Sequence, residues 1–220
     1  MKRQIITTAD GSKTIQITDW DEQYHSKHGA IQEAYHVFIS MGLRLFKDQE
    51  VDILEIGFGT GLNAFITYLE VGVQQLKVNY VAVEGYPVPM DEIMQLDYAA
   101  QLKVKEQEGV FLNMHHIPWG ERVALSEDFI LTKQKKDFQQ VDDEGLFNLI
   151  YFDAFGARVQ PGLWTPQMFG RMYRALDHNG VLVTYAAKGS VRRAMLDVGF
   201  LVERLPGPPG KREMLRGIKK

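Results

Sequence analysis

A short apolar run that ends in three closely spaced glycines constrains the fold of this chain more than any other feature. The run covers residues 51–56, and its length and its valine, isoleucine and leucine content predict a buried strand. The glycines that follow are Gly57, Gly59 and Gly61, and glycine allows positive φ and a close approach of a ligand to the backbone. A helix is expected to begin near Asn63, because apolar residues then recur at helical spacing. A strand, a glycine turn and a helix N-terminus predict a nucleotide site in an α/β fold.

The spacing of the glycines indicates which kind of nucleotide ligand the turn would bind. A dinucleotide fingerprint, G-x-G-x-x-G, cradles a pyrophosphate, whereas here the third glycine comes one residue early and Leu62 takes its place. Glu55 lies two residues before the first glycine, where a carboxylate would repel phosphates and suit a cationic ligand. S-adenosylmethionine carries a sulfonium, an ammonium and no phosphate. The pattern E-x-G-x-G-x-G therefore resembles the first motif of class I methyltransferases. The alternative is a tight strand-to-helix turn, although packing alone explains three such glycines poorly.

Length and composition bound the remaining possibilities. The 220 residues, of which 45% are hydrophobic, suit one α/β domain with a substantial core. We expect a single methyltransferase domain over 1–220, with a hairpin and helix extension at 1–48 and a Rossmann-like core at 49–220. The absence of cysteine excludes disulfides and thiolate chemistry. No apolar h-region opens the chain and no apolar run reaches about 18 residues, which predicts a cytoplasmic protein without a membrane partner. The net charge of -3 means that any nucleic-acid surface must be local.

The first 48 residues carry a hairpin and a helix. Alternating residues over 1–18, interrupted by turn formers, predict the hairpin. A polar, aromatic segment follows, and a helix with one apolar face is predicted from about Ala30 to Phe46. The histidines of this region (His25, His28 and His36) lack a carboxylate or cysteine at ligand spacing. No metal site is therefore predicted.

Acidic residues end two of the predicted core strands. The strand at 77–84 ends in Glu84, and a carboxylate there can accept hydrogen bonds from both ribose hydroxyls; the alternative is an exposed terminal glutamate. The strand at 146–152 runs straight into Asp153, and ligands of open α/β sheets bind beyond the carboxyl ends of strands. Asp153 is thus predicted at the rim of the active site, with a helix cap or turn as the alternative.

The remaining segments complete the predicted fold. They comprise a mostly helical run at 87–120, short strands at 123–125 and 129–132, a helix at 167–176 capped by Thr165, a strand at 181–185, a helix at 189–198, and strands at 200–205 and 211–218. The closing strand pair is expected to insert an antiparallel final strand into an otherwise parallel sheet. That arrangement is typical of class I methyltransferases (Rossmann-like, with a mostly parallel sheet and an antiparallel last strand), here with a short N-terminal β-hairpin.

With these segments placed, the chain resembles the MnmC/MnmD family of tRNA wobble-uridine methyltransferases along nearly its whole length. The matching segments are Tyr24–Ser26 with Gly29 and Glu33, 36–38, 55–63, 152–155 with Pro161 and Trp164–Thr165, 184–185, 191–193, 199–200 and 210–215. Two departures stand out. His25 occupies a position where the family often has phenylalanine, and residues 156–160 replace the usual Ala-Pro-x-x-Asn stretch.

The resemblance implies an activity and a set of partners. The family transfers a methyl group from S-adenosyl-L-methionine to 5-aminomethyl-2-thiouridine at position 34, in the anticodon loop of tRNA. Bifunctional members carry a fused FAD-dependent oxidase domain, for which 220 residues leave no room, so a stand-alone methyltransferase is expected. A separate oxidase-type or MnmE/MnmG-type modification pathway would then supply the substrate nucleoside.

The motifs and the resemblance together give three groups of candidate site residues. The cofactor group is Glu55, Gly57, Gly59, Gly61, Asn63, Glu84, Asp137, Phe138, Tyr24, Ser26 and Glu33. Asp137 and Phe138 are included because methyltransferases hold the adenine amino group after the third core strand, although such pairs are common on loops. Asp153 is the catalytic candidate. The substrate group is Phe155, Trp164, Tyr185, Lys188, Arg192, Arg193, Lys211 and Arg212, the last five belonging to a basic C-terminal segment that suits phosphate contacts.

Two other functions remain open at this point. The first is an S-adenosylmethionine enzyme that methylates a small-molecule amine, which methyl transfer to hypomodified tRNA would separate from a tRNA enzyme. The second is a non-catalytic RNA-binding relict of the fold, which a calorimetric titration with S-adenosylmethionine would reveal. The intact motif residues argue against the relict.

Overall fold

A three-stranded antiparallel sheet precedes the core in the computed structural model, which describes residues 2–220. Its strands are β1 (Arg3–Thr7), β2 (Lys13–Ile17) and β3 (Glu22–Gln23), in that order. β1 and β2 form the predicted hairpin, with Ile5 opposite Ile15. The two-residue β3 was not predicted, because two residues are too few to show an alternating pattern.

An eight-stranded sheet forms the centre of the molecule. Its strands are β4 (Glu50–Ile56), β5 (Lys77–Glu84), β6 (Arg122–Ser126), β7 (Phe129–Lys135), β8 (Phe147–Phe152), β9 (Leu176–Thr184), β10 (Leu201–Pro206) and β11 (Glu213–Ile218). The spatial order is β10-β11-β9-β8-β4-β5-β7-β6. β9, β8, β4, β5 and β7 run parallel, whereas β11 lies antiparallel between β9 and β10. The predicted fold class is confirmed.

Seven α-helices accompany the strands among residues 2–220. They are α1 (Ala30–Ala34), α2 (Leu62–Gln74), α3 (Met90–Ile93), α4 (Tyr98–Gln101), α5 (Glu108–His116), α6 (Pro166–Ala175) and α7 (Gly189–Asp197). α2 begins one residue before the predicted start. α6 begins as predicted at a cap, since the hydroxyl of Thr165 accepts a hydrogen bond from the Met168 amide at 3.4 Å.

The central strands are buried on both faces, and their side chains alternate between two apolar clusters. In β8, Leu149 and Tyr151 join the cluster with Phe65 and Phe111, whereas Ile150 and Phe152 face the other. A parallel sheet covered on both faces has this continuous apolar sequence. Its exposed functional groups can therefore lie only at the strand ends.

Two predicted helices are broken in the structure. The segment expected to be one helix from Ala30 to Phe46 is α-helical only over α1. It continues as a π-helix over Tyr35–Ser40 and then as a 3₁₀ turn over Leu43–Leu45. Gly42 interrupts it with φ -118° and ψ -83°, angles outside the helical region. The run at 87–120 is divided into α3, α4, a 3₁₀ turn and α5. Lys103, which takes a left-handed φ of 59°, separates α4 from the 3₁₀ turn.

The ends of two strands also differ from the prediction. β9 begins at Leu176 rather than at residue 181, so Asn179 and Gly180 lie within it, where its pairing with β8 changes register. The last strand begins at Glu213 rather than at Lys211, because a turn in which the Lys211 amide bonds to the Pro208 carbonyl precedes it. Among residues 2–220, no helix has both the length and the apolar character needed to cross a membrane.

Candidate active site

The glycine turn after β4 brings its backbone against two other site segments. All three glycines have positive φ: 97° at Gly57, 49° at Gly59 and 73° at Gly61. A Cβ on Gly57 would lie 2.8 Å from the carbonyl oxygen of Asp153, and one on Gly59 would lie 2.9 Å from the Tyr24 ring. Both the conformation and the close packing therefore require glycine at these positions.

A cavity of about 290 Å³ opens beside this turn, at the carboxyl ends of β4, β5 and β8. The predicted cofactor and site residues that line it are Tyr24, Gly57, Gly59, Glu84, Asp137, Phe138, Asp153 and Phe155. Segments far apart in the sequence meet here because the strands are parallel and end on the same edge. Cavities for small ligands measure about 300–1,000 Å³, so this one is close to the lower limit of that range.

Glu84 ties the glycine turn to the end of β5. Its carboxylate accepts hydrogen bonds from the Gly59 amide at 3.0 Å and from the Tyr86 amide at 2.8 Å. The residue is 8% exposed and lines the cavity. Asp137 is held in a similar way, since it caps a short 3₁₀ turn by accepting from the Gln139 amide at 2.8 Å. Each carboxylate has acceptor capacity left for hydroxyl or amino groups of a ligand.

Asp153 lies directly after β8 with its carboxylate held by α2. The Asn63 side-chain amide donates to its Oδ2 at 2.8 Å. Burial raises the pKa of Asp153 to about 7, and the Asn63 hydrogen bond offsets part of that rise. The negative charge of Glu33 also raises this pKa and the positive charge of Lys211 lowers it. A carboxyl group with this pKa exchanges protons near neutral pH, as a general base must.

A second cavity of about 360 Å³ shares Asp153, Ala154 and Phe155 with the first. Glu33 lines it and accepts hydrogen bonds from the Ser26 amide at 3.2 Å and from Lys211 Nζ at 2.5 Å. The structure thus joins Ser26 and Glu33, predicted for the cofactor, to Lys211, predicted for the substrate. These two groups of candidates meet in one cavity rather than lying apart.

A groove of about 790 Å³ adjoins the second cavity and carries most of the predicted substrate residues. Those that line it are Trp164, Tyr185, Lys188, Lys211 and Arg212. Arg204 of the basic C-terminal segment lines it as well, as does Arg158, which the sequence did not single out. Arg192 and Arg193 lie on α7 outside both cavities and the groove. Because its lining is rich in cations, the groove suits a polyanion.

Three predicted cofactor residues line neither cavity. Glu55 is fully buried in β4, beneath the turn, because the strand ends only after Ile56. Gly61 faces His115, whose ring would lie 2.7 Å from a Cβ there. Asn63 points to Asp153, as described above. For these residues the arrangement supports an indirect role in holding the turn and Asp153.

Several residues that were not predicted also line the first cavity. Trp20 and His25 come from the N-terminal extension, Thr60 from the glycine turn and Tyr86 from the segment after β5. His25 Nε2 and the Thr60 hydroxyl are 2.7 Å apart, and burial lowers the pKa of His25 to about 4, so its imidazole is neutral at pH 7. Thr60 and Tyr86 could have been inferred from their closeness to the motif residues. His25 reaches the cavity only through tertiary folding.

Within residues 2–220, His, Cys, Asp and Glu side chains do not gather in a group of three or more that could hold a metal ion. His36 instead forms a 2.8 Å hydrogen bond with the carbonyl of Pro206. The first cavity is lined by carboxylates, aromatic rings and the backbone of the glycine turn.

Comparison with known proteins bears on the chemistry of this site. A family model for S-adenosyl-L-methionine-dependent methyltransferases matches residues 94–220. The tRNA 5-methylaminomethyl-2-thiouridine biosynthesis bifunctional protein MnmC of Hydrogenovibrio crunogenus is 28% identical over 98% of this chain and 34% of its own length. The protein of the same name from Pseudoalteromonas atlantica is 28% identical over 96% of the chain and 32% of its own length. The chain thus spans about a third of these relatives.

Solved structures give the same result for the fold. The crystal structure of MNMC2 from Aquifex aeolicus matches 98% of this chain and 70% of that one, with a TM-score of 0.73 and 26% identity. Spermidine synthase from Thermotoga maritima matches with a TM-score of 0.55 at 12% identity, over 100% of this chain and 72% of that one. The second likeness concerns the fold alone.

Proposed function

Because the chain belongs to the S-adenosyl-L-methionine-dependent methyltransferases, we propose that it methylates the 5-aminomethyl nitrogen of the wobble uridine, at position 34 of tRNA. The names of the two MnmC relatives and the 98% coverage of the chain by MNMC2 support this substrate. The observation that carries the proposal is the position of Asp153, a carboxylate shared by a ligand cavity and a second cavity that adjoins a cationic groove. In this proposal 49–220 is the catalytic core and 1–48 an extension of the same domain.

The first cavity fits the cofactor of the family. Gly57 and Gly59 leave the turn without side chains, as close contact with the amino-acid end of a ligand requires. Glu84 would accept hydrogen bonds from the ribose hydroxyls, and Asp137 and Phe138 would contact the adenine. S-adenosylmethionine supplies an electrophilic methyl group on its sulfonium. The protein would hold that methyl group facing the amine that Asp153 positions.

Asp153 prepares the substrate amine for attack. A primary amine is mostly an ammonium near pH 7, and an ammonium has no lone pair with which to attack. In this mechanism the Asp153 carboxylate accepts hydrogen bonds from the amine, orients it and takes its proton. Asn63 fixes the carboxylate through the 2.8 Å hydrogen bond. A pKa of about 7 keeps a large fraction of Asp153 ionised and basic at the pH of the reaction.

The groove provides for the tRNA. Lys188, Lys211 and Arg212 would contact phosphates, and a wobble base can leave the anticodon stack at low cost because it is unpaired. Tyr185 lines both the groove and the second cavity, next to Trp164 at a ring distance of 5.9 Å, so these rings are candidates to stack on the base. Phe155 packs edge-on against Tyr24 at 5.0 Å and forms the wall between the cavities. A tRNA substrate implies a cytoplasmic location and a separate pathway that supplies the aminomethyl nucleoside.

Nucleoside analysis of position 34 tests the proposal. Hypomodified tRNA incubated with the protein and S-adenosylmethionine should gain one methyl group on the 5-aminomethyl nitrogen, and fully modified tRNA should gain none. Methylation of a free small-molecule amine, with the tRNA unchanged, would contradict the tRNA substrate. Cofactor binding without transfer to either would favour a non-catalytic relict.

A further inference from the structure

We propose that Glu33 and the ring of Tyr185 form a cation site beside Asp153, which Lys211 fills in the free protein and the substrate's ammonium fills during the reaction. The inference rests on the proposed function for the identity of the incoming cation. It assigns Lys211 the role of an internal occupant that must leave before the amine can enter.

The contacts of Lys211 define the site. Its Nζ lies 2.5 Å from Glu33 Oε2 and 4.1 Å from the centroid of the Tyr185 ring. A carboxylate and an aromatic face together are a favourable environment for an ammonium. The same two groups would accept a primary ammonium on a CH₂ group from any source, because the end of a lysine side chain and an aminomethyl group are chemically alike.

The walls of the site are fixed, whereas its occupant is not. Glu33 is 8% exposed and accepts a hydrogen bond from the Ser26 amide at 3.2 Å. The Tyr185 hydroxyl donates to the Ala154 carbonyl at 2.9 Å. Lys211, in contrast, precedes β11, and its side chain is 32% exposed on a long flexible stem. The cation is the part of this arrangement that can be exchanged.

The position of the site matches the chemistry that follows. Glu33, Tyr185, Lys211 and Asp153 line the same cavity, and the charges of Glu33 and Lys211 both act on Asp153. An ammonium held between Glu33 and Tyr185 would thus lie beside the carboxylate that takes its proton.

The exchange links the entry of the amine to the binding of tRNA. Lys211 lines both the second cavity and the cationic groove, so a phosphate in the groove offers it a new partner. A buried carboxylate without a partner is costly. Lys211 compensates the charge of Glu33 until the substrate ammonium takes its place. A free amine brings no phosphate to draw Lys211 away, so it competes poorly with Lys211 for Glu33.

Calorimetric titration with benzylamine tests the inference without relying on methyl transfer. Benzylamine presents a primary ammonium on a CH₂ group, and benzyl alcohol is its neutral counterpart. Lys211→Met should bind benzylamine about tenfold more tightly than the wild type, because the internal competitor is gone. Adding Glu33→Gln to Lys211→Met should reverse the gain in benzylamine affinity. Benzyl alcohol should bind Lys211→Met no more tightly than it binds the wild type.

Controls separate this result from other effects. Lys219 also lies over a tyrosine, 5.2 Å from the ring of Tyr173 at the far edge of the sheet, so Lys219→Met is a matched variant that should bind benzylamine like the wild type. Lys211→Gln replaces Lys211→Met if thermal melting shows that the latter is unfolded. Benzylamine affinity unchanged in the folded Lys211 variant would overturn the inference. Failure of the wild type to methylate hypomodified tRNA would instead contradict the proposed function.

Discussion

Replacing Asp153 by asparagine tests the assignment of the general base. Asparagine keeps the shape of the side chain and can still accept a hydrogen bond from Asn63, which now donates to Asp153 Oδ2 at 2.8 Å. The change removes the negative charge and the basicity. We expect turnover to fall by about 10²- to 10⁴-fold, the range typical of a lost general base. Cofactor affinity should stay within about threefold of the wild type, since Glu84 and the glycine turn are untouched.

The pH dependence follows from the raised pKa of Asp153. Burial raises this pKa from 3.8 to about 7, and the base acts only when deprotonated, so wild-type turnover should rise with pH up to about 7 and then level off. The protonated form is favoured by the folded state, so Asp153 destabilises the protein as the pH rises from about 4 to about 7. Asp153→Asn removes this loss of folding stability. We therefore expect the variant to be about 1–3 kcal/mol more stable than the wild type at pH 8, after allowance for the partial exposure of the side chain. Below pH 4 the two proteins should be equally stable.

The methyl-transfer rates of the wild type and Asp153→Asn are measured in single-turnover assays at pH 5.5 to 8.5. These assays use radiolabelled S-adenosylmethionine and hypomodified tRNA. Chemical denaturation at pH 4 and pH 8 measures the stability. Asp177→Asn is the matched control, because Asp177 is an exposed aspartate away from the cavities and should change neither quantity. Near-normal turnover of Asp153→Asn would refute the reasoning and leave Asp153 as a structural turn residue.

Two further predictions concern the cofactor and tRNA surfaces. Gly59→Ala should abolish detectable S-adenosylmethionine binding in a calorimetric titration, because its Cβ would lie 2.9 Å from the Tyr24 ring at a φ of 49°; Gly72→Ala, in open space on α2, should bind normally. Lys188→Ala and Arg212→Ala should each weaken binding to all tRNAs, whatever their nucleotide sequence. Each should also reduce the slope of log affinity against log salt concentration by about 1. An unchanged salt slope in both variants would locate the phosphate contacts elsewhere.

The sequence predicted those parts of the fold that depend on local pattern. Continuous apolar strands, the glycine turn and the acids at Glu84 and Asp153 follow from burial, from backbone conformation and from strand direction, all of which short segments encode. Because the carboxyl ends of parallel strands lie at the same edge of a sheet, these acids come together there regardless of the loop conformations. The antiparallel β11 was predicted because the closing strand pair is itself a local pattern.

The parts that were missed depend on contacts between distant segments. The Glu33–Lys211 ion pair joins residues 178 positions apart, and nothing near either residue predicts it. His25 reaches the cavity because the extension folds over Thr60. The predicted helix at 30–46 contains a π-helical stretch, in which the Met41 amide donates a hydrogen bond to the His36 carbonyl at 3.2 Å. Periodicity alone cannot distinguish this stretch from an α-helix.

Glu55 provides the sharpest contrast between motif and structure. The motif suggested a carboxylate whose charge attracts a cationic cofactor, whereas the side chain is fully buried in β4. Burial, and then the charge of Asp153, raises the pKa of Glu55 well above 4.5, which favours the neutral acid in the folded protein. Glutamine resembles that neutral acid in shape and polarity.

Glu55→Gln should therefore leave S-adenosylmethionine affinity within about threefold of the wild type. The folded wild type holds a proton that the unfolded chain releases above about pH 4.5, so its stability declines as the pH rises above that value. The variant lacks this decline, and chemical denaturation should find it more stable than the wild type at pH 8 and equal to it at pH 4. If the variant instead loses about tenfold or more in cofactor affinity, equivalent to about 1.4 kcal/mol, then the charge of Glu55 does reach the cofactor. The neutral, structural role argued from its burial would then be wrong.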